Sequence, residues 1–117
     1  MKWALMAVTL MLAGCYTPGE IVKAGTRYDL SGTKVPFATA RCITRAVEET
    51  SSKVRTHLRP GSTPGSYEIT AYNFSTTSSE AVITVTTASN GSAISVYFAP
   101  MPFDPERTGE VYTKGCL

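Results

Sequence analysis

The sequence predicts an α+β domain, with one amphipathic helix packed on an antiparallel sheet of about four strands and closed by a disulfide. Three observations carry this prediction. Apolar residues recur at helical spacing between Thr39 and Thr50. From Lys53 onward the apolar period changes to two. Asn90-Gly91 then separates two alternating runs that match when the chain is folded back between them.

Residues 15–35 read as a tether and lead-in segment ahead of a single domain at 36–117. Pro18, Gly19, Gly25 and Gly32 punctuate this stretch, and neither period persists in it, although Arg27-Tyr28-Asp29-Leu30 is a candidate short strand. Pro36 suits the first turn of a helix, where a missing N–H costs no intrahelical bond. Thr39, Ile43, Ala46, Val47 and Thr50 then fall on one side, with Ala40 and Cys42 at its edges. Arg41, Arg45, Glu48, Ser51 and Ser52 fall on the other. Arg45 is spaced to pair with Glu48 or Glu49, and Phe37 lies off the stripe at the start of the helix. Thr50-Ser51-Ser52 should end it, because these side chains compete for backbone hydrogen bonds.

In the first strand Val54, Thr56 and Leu58 alternate with Arg55, His57 and Arg59. A Pro- and Gly-rich loop, 59–66, leads to a second strand, with Tyr67, Ile69 and Ala71 opposed to Glu68, Thr70 and Tyr72. After a polar turn at 75–79 comes the Asn90-Gly91 hairpin. As the centre of a type I′ turn, that dipeptide pairs Thr87 with Ile94, Val85 with Val96 and Ile83 with Phe98 on one face. Thr84 with Tyr97 and Thr86 with Ser95 share the other. The apolar face needs a cover, which the helix supplies. Pro100, Pro102 and Pro105 exclude a central strand after Ala99 and imply an irregular crossing loop. Thr108–Lys114 suits a last helical turn or an edge strand.

The first residues carry an address. Met1-Lys2 is short and basic, and Trp3–Ala13 is an apolar run of roughly ten residues, against about twenty needed to cross a bilayer. It fits the apolar core of a secretory signal. No later stretch is long and apolar enough to span, which excludes a polytopic membrane protein. Leu12-Ala13-Gly14-Cys15 resembles a lipobox, the recognition motif of bacterial lipoproteins. The resemblance implies cleavage before Cys15, a thioether-linked diacylglyceryl group on its sulfur and N-acylation, with residues 1–14 removed as signal peptide. Tyr16 stands at the position read by lipoprotein sorting. The absence of aspartate there implies the outer membrane, facing the periplasm, in a Gram-negative cell.

Loss of residues 1–14 leaves 103 residues, the size of one domain, with ten basic against nine acidic side chains. That near-neutrality argues against nucleic-acid binding. With Cys15 committed to lipid, Cys42 and Cys116 in a small exported chain read as a disulfide. A zinc site is excluded, since His57 is the only further soft ligand and cannot complete the set.

Nothing in the sequence points to catalysis or a cofactor. His57, the only histidine, has no carboxylate and nucleophile spaced around it as acyl-transfer chemistry requires, and there is no Gly-x-Ser-x-Gly elbow or phosphate-cradling loop. Glu48 and Glu49 are adjacent on a helix and point apart. Two surfaces remain as binding candidates. Arg55, His57 and Arg59 form a basic row suited to anionic headgroups or an acidic partner, or simply a charged strand face kept from edge pairing. Tyr72 and Tyr97, amid Thr70, Thr84, Thr86 and Ser95, suit a peptide or glycan, or simply reflect strand propensity.

The part after Cys15 also resembles small proteobacterial lipoproteins without an assigned activity. Those pair a cysteine-bearing helix, here Ala40-Arg41-Cys42-Ile43, with an antiparallel sheet and a near-terminal cysteine. The size invites comparison with lipoprotein lysozyme inhibitors, but those resemble all-β barrels, and the helix at Thr39–Thr50 argues against that family. The expected function is therefore a non-enzymatic binding or accessory module. It is anchored through lipid on Cys15 and meets an envelope protein or glycan. The alternative is an inhibitor or immunity lipoprotein directed at a toxin or envelope hydrolase.

Overall fold

The computed structural model describes residues 17–24, 26–99 and 105–117. The signal segment, Cys15 and the crossing loop expected after Ala99 lie outside the described residues. The fold is α+β. A five-stranded antiparallel sheet is built from β1 (Thr26–Gly32), β2 (Val54–Pro60), β3 (Tyr67–Asn73), β4 (Ser79–Ala88) and β5 (Gly91–Phe98) in the order β1-β5-β4-β3-β2. Among the described residues three helices accompany it: α1 (Pro18–Ala24), α2 (Pro36–Thr50) and α3 (Pro105–Tyr112). The strand beyond the expected four is β1. It pairs antiparallel with β5 over its whole length, Thr26 opposite Phe98 through Gly32 opposite Ser92.

Helix α2 begins at Pro36 and ends before Ser51, as its spacing predicts. It buries Thr39, Ala40, Ile43 and Val47 against the sheet. Thr50, expected on the same stripe, is exposed and donates its hydroxyl back to the Val47 carbonyl. The core joins that face to Val54, Ile69, Ala71, Ile83, Val85, Ile94, Val96 and Phe98. These are the period-two positions of four strands, so two periodicities meet on one surface and remove both apolar stripes from water. Neither glutamate expected beside Arg45 forms an ion pair with it among the described residues, where the two pairs are Arg27–Asp29 and Arg59–Glu68. Glu48 instead accepts a bond from the Thr56 hydroxyl at 2.7 Å.

The β4–β5 hairpin departs from the expected register by two residues. Ala88 stands opposite Gly91, so the turn centres on Ser89-Asn90; Val85 faces Ile94, Ile83 faces Val96 and Ala81 faces Phe98. The positive φ falls on Gly91 alone, at 140°, and on neither Ser89 nor Asn90. Gly91 belongs to the strand because it passes hard against the end of β1. A Cβ there would sit 2.4 Å from the Gly32 carbonyl oxygen. A shift of two leaves every side chain on its own face, so the face assignment survives.

The C-terminus resolves the choice between last helical turn and edge strand in favour of a helix, α3, packed on α2 and β1. Its tail docks by burial more than its composition implies. Tyr112 is 7% exposed and stacks near Phe98 at 6.0 Å between ring centres, while Thr113 and Cys116 are buried. Gly109 lets the helix close on β1, since a Cβ there would fall 2.6 Å from the Tyr28 ring. Cys42 and Cys116 form the disulfide, with 5.5 Å between their Cα atoms.

Candidate functional site

The opposite face of the sheet carries the candidate site, and a short helix shapes it. Thr17-Pro18-Gly19-Glu20 is a helix start: the Thr17 hydroxyl accepts the Glu20 N–H at 3.3 Å, and proline occupies the first turn. Helix α1 lies across β4 and β5. It buries Ile21 completely against Val82 and Ala99, with Tyr97 alongside. This contact explains why Val82, on the mostly polar face, is apolar.

Beside α1 lies an open groove of about 440 Å³, lined by Pro18, His57, Arg59, Thr70, Tyr72, Thr77 and Ser79. Strand pairing brings these groups together. His57 stands opposite Thr70, Arg55 opposite Tyr72 and Arg59 opposite Glu68. A register irregularity at Ala71/Tyr72 then sets Tyr72 opposite Ser79. The His57 and Tyr72 rings are 6.2 Å apart and tilted by 41°. Thr77 reaches the groove from the β3–β4 turn, where it adopts a φ of 57° and its N–H donates to the Asn73 carbonyl at 2.7 Å.

The electrostatics differ from a bare basic row. Arg59 is engaged by Glu68, with its Nε 3.1 Å from Oε1 and a second nitrogen on the same oxygen. Arg55 turns away from the groove, donates to the Ser52 and Val54 carbonyls at 2.9 Å each and covers the Phe74 ring at 5.1 Å. The groove therefore offers hydroxyls, an imidazole, a phenol and one balanced guanidinium.

The two tyrosines share the sheet face, as expected, but not the groove. Tyr72 lines the groove, whereas Tyr97 packs beside Ile21 on the far side of Val82, with the Arg27 guanidinium 5.7 Å from its ring centre. Asp29 accepts bonds from Arg27 Nε and the Ser95 hydroxyl, both at 2.8 Å. The Arg27 and Ser95 bonds hold the carboxyl below its ordinary range. Sequence reasoning placed His57, Arg59 and Tyr72 on this face but missed Pro18, Thr77 and Ser79. The capping pattern at Thr17–Glu20 was a readable signal for α1. Nothing local announced that the helix would cross the polar face.

No family model, curated protein or solved structure matches the chain. Among the described residues no cluster of three metal-ligating side chains occurs, and no helix is long and apolar enough to cross a membrane.

A second cleft, about 400 Å³, opens on the helical side between Thr50, Lys53, Glu80 and Tyr112. Burial, reinforced by the Glu80 carboxylate, pushes the Tyr112 phenol from 10.0 up to about 12. The native state then keeps a proton that the unfolded chain releases above pH 10. The resulting stabilisation is fully present below that pH and is lost as pH rises from 10 towards 12. Tyr112→Phe is expected to flatten the alkaline limb of a stability–pH curve measured by denaturant unfolding. An unchanged limb would assign the alkaline loss to other groups.

Proposed function

We propose that the protein is a lipid-anchored envelope protein. It is cut before Cys15, held by acyl chains at the periplasmic face of the outer membrane, and acts as a non-enzymatic binding module through the His57–Arg59–Tyr72 groove. The observation that carries the binding role is the gathering of two rings and three hydroxyls around one open groove of about 440 Å³. With Arg59 balanced by Glu68, a ligand is met by hydrogen bonds and ring contact rather than by net charge. That chemistry suits an envelope glycan or a polar stretch of an envelope protein. The address rests on the apolar run ending in Leu12-Ala13-Gly14-Cys15.

Two variants test the two halves separately. Cys15→Ser should take up no labelled palmitate and should leave the membrane fraction, whereas the lipidated protein should resist high salt. Tyr72→Ala in the lipidated protein should stay in the membrane and lose the partner captured from envelope extract by the wild type. Normal palmitate labelling of Cys15→Ser would overturn the anchor. An identical captured set from Tyr72→Ala and wild type would overturn the groove.

A further inference from the structure

We infer that the groove docks on the lipid headgroups of the leaflet that holds Cys15, and that its ligand is a phosphate- and hydroxyl-bearing headgroup. The inference rests on the lipidated reading of Cys15 and goes beyond the proposed ligand of the same groove, setting a lipid headgroup there in place of a glycan or protein stretch. Its basis is the shortness of the connection. Helix α1 starts at Pro18, three positions after Cys15. Three extended residues span at most about 11 Å, comparable with the roughly 5–8 Å headgroup layer on each side of a bilayer. The stretch expected to lift the domain away from the surface is instead consumed by α1 and by β1, which is hydrogen-bonded into the sheet.

The place where the chain joins the domain sets its orientation. Pro18 is itself a wall of the groove, and α1 lies on the sheet face opposite α2 and α3. Acyl chains on Cys15 therefore bring this face to the membrane first and leave the helical face pointing away. The side chains suit that position. Phe74 is 51% exposed and lies under the Arg55 guanidinium, an aromatic–cation pair with one apolar and one wet side. Val22 is exposed on α1 beside exposed Lys23. Within the groove, Thr70, Thr77, Ser79 and Tyr72 supply hydroxyls, and Arg59 lies at one end. A phosphatidylglycerol headgroup, with a phosphate and free hydroxyls, matches these donors and acceptors. A polar protein chain has similar groups but gains nothing from the placement of the groove beside Cys15.

The test uses single-tryptophan reporters. Trp3 is the chain's one tryptophan and leaves with residues 1–14, so an introduced indole reports alone. The lipidated protein is reconstituted into phosphatidylglycerol–phosphatidylethanolamine vesicles containing brominated acyl chains. Phe74→Trp, in the β3–β4 turn that also supplies Thr77 to the groove, is expected to be blue-shifted and quenched. Phe37→Trp, on the helical side against Tyr67, is expected to stay unquenched. Adding Tyr72→Asp to Phe74→Trp should abolish the quenching while the far-ultraviolet spectrum of the fold is retained. Equal quenching of the two reporters, or quenching unaffected by Tyr72→Asp, overturns the docking while the protein still floats with the vesicles. A purified chain without acyl mass that fails to float overturns the anchor, and the docking with it.

Discussion

Replacing Cys42 and Cys116 together by serine is expected to lower stability by about 2–5 kcal/mol. The bridge closes 74 positions of sequence, and a loop of that length restricts the unfolded chain by about 4 kcal/mol of conformational entropy. Both ends sit where the constraint is felt. Cys42 lies on α2 beside the core, and Cys116 is fully buried in it. The burial of Tyr112 and Thr113 means that α3 has contacts of its own, so the loss should not release the helix and tail as one piece. Residues 113–117 should become protease-sensitive first, with α3 following. Denaturant unfolding and timed proteolysis of oxidised and reduced protein measure both effects. Identical unfolding midpoints and cleavage patterns in the two states would show that burial alone secures the C-terminus.

Gly91→Ala should be comparably damaging, by about 2–5 kcal/mol, from two separate causes. The position has a φ of 140°, which a side chain strongly disfavours. An added Cβ would also lie 2.4 Å from the Gly32 oxygen and within 2.8 Å of two Thr33 backbone atoms. Those atoms belong to the end of β1 and its exit, so relief requires separating β1 from β5. The neighbouring Ser92 hydroxyl donates to the Lys34 carbonyl at 2.6 Å and meets the Thr39 hydroxyl at 3.3 Å, which ties the same corner to the start of α2. A substitution at Asn90, where φ is not positive, should cost far less. Equal losses at Asn90→Ala and Gly91→Ala in thermal unfolding would return the special backbone position to the turn centre.

The hairpin shows where local reasoning succeeds and where it stops. Alternation assigned Ile83, Val85, Ile94, Val96 and Phe98 to one face, and the structure buries all five together. The exact pairing was not legible, because a shift of two residues preserves the alternation. What selects the register is contact between Gly91 and the backbone of Gly32–Thr33, nearly sixty positions earlier in the chain. The candidate site divides in the same way. His57 and Arg59 were readable as one row on a strand and Tyr72 as part of a second surface with Tyr97, but the joining of Tyr72 to His57, the pairing of Arg59 with Glu68 and the turning of Arg55 onto Phe74 depend on cross-strand geometry.

The sequence by itself determined the helix at Pro36–Thr50, four of the strands, the face each strand buries and the pairing of the two cysteines. Each of these follows from periodicity, turn chemistry or the scarcity of alternatives, which act within a few residues or through composition. Only the tertiary structure decided that Thr26–Gly32 is an edge strand, that 105–112 is a helix, and that α1 crosses the outward face and separates Tyr72 from Tyr97. These elements are short and carry few apolar residues, so they are stabilised by the surface they land on. Ile21 is the large apolar side chain that this seven-residue helix buries, while Val22 stays exposed, and its place is set by Val82, Tyr97 and Ala99, more than sixty residues away.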